Sequence, residues 1–427
     1  MKMHEPTAVT TLANGVRVLV LPMPQLESAS ASVFVRTGSA SESARESGIS
    51  HVVEHMAFKG TASRDCQHIN LDAERLGAEV NAHTDKDHTA FHMRGLARDA
   101  AEFVRMLGDI VCASTFPQDE LERERQVILH EVDEDEDDPM STAFKLFDRA
   151  CYGNHPLAQP VIGRRRNIER FTRAELAAYV RRQYSGANIV VGVAGAIDPS
   201  AVRQAAEAAF GALPQGSENR VAAPVYAGGV RLQRQTGSSQ THVVLGFPIP
   251  SLAVDDAASE LAAALFGEGM SSPLMDALRE RSALVYYAAC SADRTPWSGQ
   301  FVIEASTAPR HLDELVAEVA RLLVEQTRAI DPVALERARN QLAVRRVQAL
   351  ERPARLLEEA ALDLFVHGRV RSRAERAARI DAVDAAALRA AFGAMLAQVP
   401  AVAVAGRVGK GLQAGQRFGE LIARGRR

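Results

Sequence analysis

Two histidines and a glutamate stand close together in Ser47-Gly-Ile-Ser-His51-Val-Val-Glu54-His55-Met-Ala-Phe-Lys-Gly60. On a helix, residues i and i+4 are neighbours, so the imidazoles of His51 and His55 reach one metal ion and Glu54 projects beside them. Ile49, Val52, Val53, Met56 and Ala57 fall together on the opposite, apolar face. Two imidazoles do not complete a catalytic zinc site, which takes three protein ligands and leaves a fourth position open. The best carboxylate lies in a second helical pattern over 118–136, where Leu121, Ile128 and Val132 form an apolar stripe. Glu124 and Glu131 sit together about 70° round the helix from that stripe. Glu131 is placed to ligate, and Glu124, two turns earlier, to hydrogen-bond a ligand histidine from behind. The bland alternative is that both helices present ordinary polar faces.

The elements that must position these residues read as a mixture of strands and helices in runs, hence α+β. Strands are expected at 15–22, 29–37 and 188–194, and helices at 43–59, 70–76, 97–113 and 118–136. Residues 211–229 are rich in turn formers and aperiodic, so a domain boundary is expected there, with domains 1–215 and 229–427 and a linker over 216–228. The second half repeats the order: a strand at 241–247, a helix at 257–265, strands around Tyr286 and at 300–305, and long helices after Leu312 and Pro332. That repetition suggests an internal duplication. Nine of the twelve histidines precede the linker, seven of them from His51 to His130, so histidine chemistry belongs to the first half.

With 427 residues, 47% hydrophobic and 24% charged, the chain has material for two large domains with buried cores. A net charge of −3 gives no reason to expect nucleic acid or an anionic membrane as partner, and no apolar run of transmembrane length occurs. Cys66, Cys112, Cys151 and Cys290 are widely spaced, without a thiolate metal motif, and read as free thiols. The N-terminus lacks a secretory core, so a cytoplasmic location is expected, or a periplasmic one if a leader is missing from this sequence. The acidic run 133–138 and Arg164-Arg-Arg166 read as solvated charge.

His-x-x-Glu-His followed 76 residues later by Glu131, with Glu124 seven before it, resembles the inverzincin metallopeptidases: pitrilysin, insulin-degrading enzyme and the mitochondrial processing peptidase. The resemblance extends along nearly the whole chain. It includes Leu12-Ala-Asn-Gly-Val-Arg-Val-Leu19, Gly48 to Thr61, Gly77-Ala-Glu-Val-Asn-Ala-His-Thr84 and Glu122 to Val132. It implies two homologous domains, each a mostly antiparallel sheet packed with helices, assembling as a clamshell dimer around a chamber. It implies one Zn2+ per chain on His51, His55 and Glu131, Glu54 as catalytic base, and hydrolysis of small or unfolded peptides. Arg279 and Tyr286 resemble the family's substrate-carbonyl donors, which in such dimers face the partner's zinc. Asn81, Ala82 and His83 resemble its exposed edge strand, to which substrate adds. His83, His88 and His92 are expected to line the cleft or face solvent, not to bind metal. The partner implied is an identical chain or a related subunit. A chain of the same family that has lost catalysis and serves in assembly is the competing expectation.

Overall fold

The computed structural model describes residues 7–425. It contains two compact units, each built on one sheet. The first comprises residues 7–132, 159–221 and 348–371, and the second 133–158, 222–347 and 372–425.

The first sheet holds six strands: β1 (Ala8–Thr11), β2 (Arg17–Pro22), β3 (Ser28–Val35), β4 (Glu79–Thr84), β5 (Thr89–Leu96) and β6 (Ile189–Gly195). Their order is β1-β2-β6-β3-β5-β4, which leaves β4 on an edge. All pairings are antiparallel except β2 with β6. β6, Ile-Val-Val-Gly-Val-Ala-Gly, is buried at every position, as its unbroken apolar run requires of a strand covered on both faces. One face packs on the helices Ile49–Ala57, Ala100–Cys112 and Pro199–Phe210 through Val33, Val53, Met56, Phe103, Ile110 and Phe210. The other packs on the Pro353–His367 helix through Leu19, Phe34, Val190, Leu357 and Leu364. Gly192 in β6 permits this approach, because a Cβ there would stand 3.0 Å from Leu357 Cδ2.

The second sheet holds β7 (Gly229–Arg234), β8 (Thr241–Ile249), β9 (Val285–Arg294), β10 (Gly299–Thr307) and β11 (Ala401–Gly406), in the order β7-β11-β8-β10-β9. Here too one pair alone is parallel, β7 with β11. Matched strand for strand from β2 onward, the two sheets have the same order and the same position of the parallel pair. The duplication read from element order is therefore present in the hydrogen-bond topology, and the fold is α+β with two sheet-and-helix units.

Each unit differs from the continuous halves 1–215 and 229–427 in one respect. The Pro139–Tyr152 helix belongs to the second unit, where Phe147 approaches Gly246 of β8, and the Pro353–His367 helix belongs to the first. The bare face of each sheet needs an apolar helix, and chain position does not decide which one supplies it. The division between units at Val221 and Ala222 does fall inside the 216–228 segment, which carries no regular structure. Among the described residues no helix is long and apolar enough to cross a membrane.

Candidate metal centre

The helix over Ile49–Ala57 begins six residues later than the 43–59 pattern suggests. Gly48 takes φ +102°, a left-handed conformation that ends the helix and that glycine adopts without strain. No side chain at Gly48 can cap the free amides, so Glu42 reaches over from outside: its carboxylate accepts from Gly48 N at 2.7 Å and Ser50 N at 2.8 Å. Ser50 Oγ in turn meets Tyr179 Oη at 2.8 Å, and Tyr179 meets Thr37 Oγ1 at 3.1 Å. These buried polar contacts fix the axis of the helix, while Ile49, Val52, Val53, Met56 and Ala57 bury its other face. Lys59, just past its C-terminus, turns its Nζ to Glu124 Oε1 at 2.6 Å.

The second helix, Gln118–Asp137, is held by Leu121, Ile128 and Val132 in the core and by Arg125, which donates to the carbonyls of Ile168 and Phe171. It brings Glu131 to the histidines. Glu131 Oε2 lies 3.7 Å from His51 Nε2 and 3.6 Å from His55 Nε2, and the two Nε2 atoms are 3.2 Å apart. Two ligands at about 2.05 Å on a tetrahedral zinc ion stand about 3.4 Å apart, so this donor set fits His2Glu coordination. His55 Nδ1 lies 3.3 Å from Glu124 Oε2, leaving its Nε2 as the atom turned to the centre.

The electrostatics separate the two imidazoles. Burial and the neighbouring His55 push His51 down to about 4, which keeps it neutral as a ligand must be. Burial works in the same direction on His55, but Glu124, Glu131 and Glu54 outweigh it and raise its pKa. Burial lifts the Glu54 carboxyl above the ordinary carboxylate range, with Glu131 adding to the lift, although the Thr84 hydroxyl pulls it back. That hydroxyl donates to Glu54 Oε2 at 2.6 Å.

Thr84 ends β4, the edge strand, and sequence reasoning assigned it no role although it stands in the segment that carries the resemblance. Asn81 is exposed, and its side-chain oxygen accepts from Ala82 N at 2.8 Å, so that amide is outside the ladder to β5. His88 is not a cleft-lining or solvent-facing residue: it is 2% exposed. It lies beyond β4 in the turn to β5, where the chain reversal carries its side chain inward.

Arg279 and Tyr286 lie in the second unit and meet each other, the guanidinium standing 5.0 Å from the ring centroid. Tyr286 is 82% exposed, so it is not a core aromatic. The segment around Arg279 is unusual: residues 276–281 form a π-helical turn and Ala283 takes φ +50°. Such turns and non-glycine left-handed residues cluster at functional sites.

Family models match both halves of the chain. The family description Insulinase (Peptidase family M16) matches residues 17–165, and Peptidase M16 inactive domain matches 170–342. A protein of Rickettsia felis called an uncharacterized zinc protease is 31% identical over 86% of this chain and 89% of its own. The mitochondrial-processing peptidase subunit beta of Saccharomyces cerevisiae is 27% identical over 88% of this chain and 86% of its own. A chain in the structure of complex III2 from Candida albicans superposes with a TM-score of 0.87 at 17% identity, covering 98% of this chain and all of that one, which speaks to the fold.

Proposed function

This chain belongs to peptidase family M16, and from that premise we propose that it is a zinc-dependent endopeptidase acting on small or unfolded peptides. The observation that carries the proposal is the convergence of His51 Nε2, His55 Nε2 and Glu131 Oε2 with Glu54 on the same helix. A zinc ion held by these three residues would supply Lewis acidity toward a water molecule and a scissile carbonyl.

The protein's own groups do the rest. Glu54, lifted by burial and held by Thr84, takes a proton from the attacking water at its carboxylate and later returns one to the leaving amine. Glu124 and Lys59 hold the His55 ring in orientation. The edge of β4 at Asn81, Ala82 and His83 receives the substrate as an added strand, with the Ala82 amide passing from its own neighbour's side chain to the substrate backbone. The half-buried Arg279 and the exposed Tyr286 beside it donate to the carbonyl oxygen as charge builds on it. A second chain, identical or related, closes the chamber and presents this pair to its neighbour's metal centre.

Two substitutions test the assignment. Glu54→Gln should keep its zinc and lose turnover, by about a thousandfold or more for a missing base aided by no substitute. Glu131→Gln should lower zinc content. Full activity in the first or undiminished zinc in the second would sink the corresponding role. If the native chain carries no zinc and leaves unstructured peptides intact with its partner and added metal, the assembly-subunit reading replaces the peptidase.

A further inference from the structure

Along β4, Thr84 turns to the face of the sheet that carries Glu54, so His83, one residue before it, projects from the opposite face. That face is covered by the Pro353–His367 helix, and Glu358 of this helix comes to meet the hairpin. His83 Nε2 lies 3.7 Å from Glu358 Oε1 and 3.9 Å from Asp85 Oδ2. His88 Nε2 lies 3.7 Å from the same Glu358 oxygen. The four donor atoms all fall within 4.8 Å of one another.

We propose that His83, Asp85, His88 and Glu358 form a second divalent-cation site, of the zinc class, on the face of the sheet edge opposite the His51, His55 and Glu131 centre.

Three observations support it. His88 Nε2 is buried without a hydrogen-bond partner and is aimed into the cluster. A contact of 3.7 Å is too long for an N–H to oxygen hydrogen bond, but is close to the roughly 3.4 Å that separates two ligands on one tetrahedral zinc. Both imidazoles have their other nitrogen engaged, as ligand histidines do: His88 Nδ1 with Asp87 Oδ1 at 2.8 Å, and His83 Nδ1 with His92 Nε2 at 2.9 Å. His92 is itself fixed by Ser32 Oγ at 3.0 Å. Two imidazoles with two carboxylates, all within 4.8 Å of one another, suit zinc or cobalt better than calcium or magnesium, which prefer more oxygens. A cation there ties the substrate-receiving edge strand to the helix behind it.

Metal stoichiometry on the full chain tests this. The chain is stripped with chelator, equilibrated with Zn2+, desalted and assayed for metal. The wild type should hold about two equivalents, His51→Ala/His55→Ala about one, and that variant with Glu358→Gln and His88→Gln added about none. Co2+ in the His51→Ala/His55→Ala chain should give the visible absorption of a tetrahedral nitrogen and oxygen site, lost with Glu358→Gln. Circular dichroism shows that each variant is folded; Glu358→Gln alone, half-exposed and isosteric, serves if His88→Gln is not. One equivalent in the wild type and none in His51→Ala/His55→Ala would overturn the proposal and leave the first site standing. One equivalent that survives His51→Ala/His55→Ala but not Glu358→Gln would uphold it while removing the first site.

Discussion

Glu54, the proposed base, is subject to two opposing influences. Burial raises its pKa, which makes it more basic but leaves less of it ionised at low pH, and the 2.6 Å bond from Thr84 stabilises the ionised form. Removing the hydroxyl takes away only the second influence. Thr84→Val should therefore move the acid limb of the kcat/KM profile to higher pH, by on the order of one unit for a hydrogen bond to a charged group. Zinc content should not change, since Thr84 touches no ligand. An unmoved limb would mean that another group sets it. His51, Glu54, His55, Glu124 and Glu131 could be grouped from the sequence because all lie on two helices whose periods can be counted. Thr84 and Lys59 could not, because their partners lie on other elements and only folding reveals the contact.

At the scale of elements, the helix that carries the histidines depends on a carboxylate outside it. Its apolar face was evident from spacing, but its start was not: the 43–59 pattern runs on past Gly48, and nothing local identifies Glu42 as the group that satisfies the first amides. Burial pushes the Glu42 carboxyl up to about 8, against the pull of the Ser50 and Gly48 amides. The folded chain thus keeps a proton that the unfolded chain releases near its ordinary value of 4.5. The stabilisation this proton brings is complete below that ordinary value and is lost as pH rises through about 8. Glu42→Gln cannot titrate. The melting temperature of the wild type relative to Glu42→Gln should fall between about pH 5 and pH 9. A wild-type advantage that grows over this range would mean that the amides hold Glu42 ionised in the fold. The edge strands were partly legible too. β4 was read as an edge from its resemblance alone, whereas the burial of His88 depends on a turn whose direction no periodicity encodes.

At the scale of the molecule, two sheets of one topology carry different side-chain groups: the first unit holds the candidate histidine centre, and the second the Arg279 and Tyr286 pair. The repeat was visible in element order, but the assignment of helices 139–152 and 353–367 to units was not, since any amphipathic helix can cover a bare sheet and sequence does not say which. A division of chemistry between halves raises the question of whether one chain completes its own site. In a dimer with two-fold symmetry, the donors of one chain can serve the centre of the other. If they do, Glu54→Gln and Arg279→Ala chains, each impaired alone, should restore one another on mixing under conditions that exchange subunits. Half of the dimers formed would be mixed, and each would pair one intact Glu54 with one intact Arg279, giving about a quarter of the wild-type rate. A mixture no faster than the average of the two variants, with mixed dimers demonstrated by mass, would place both groups of each working site on a single chain.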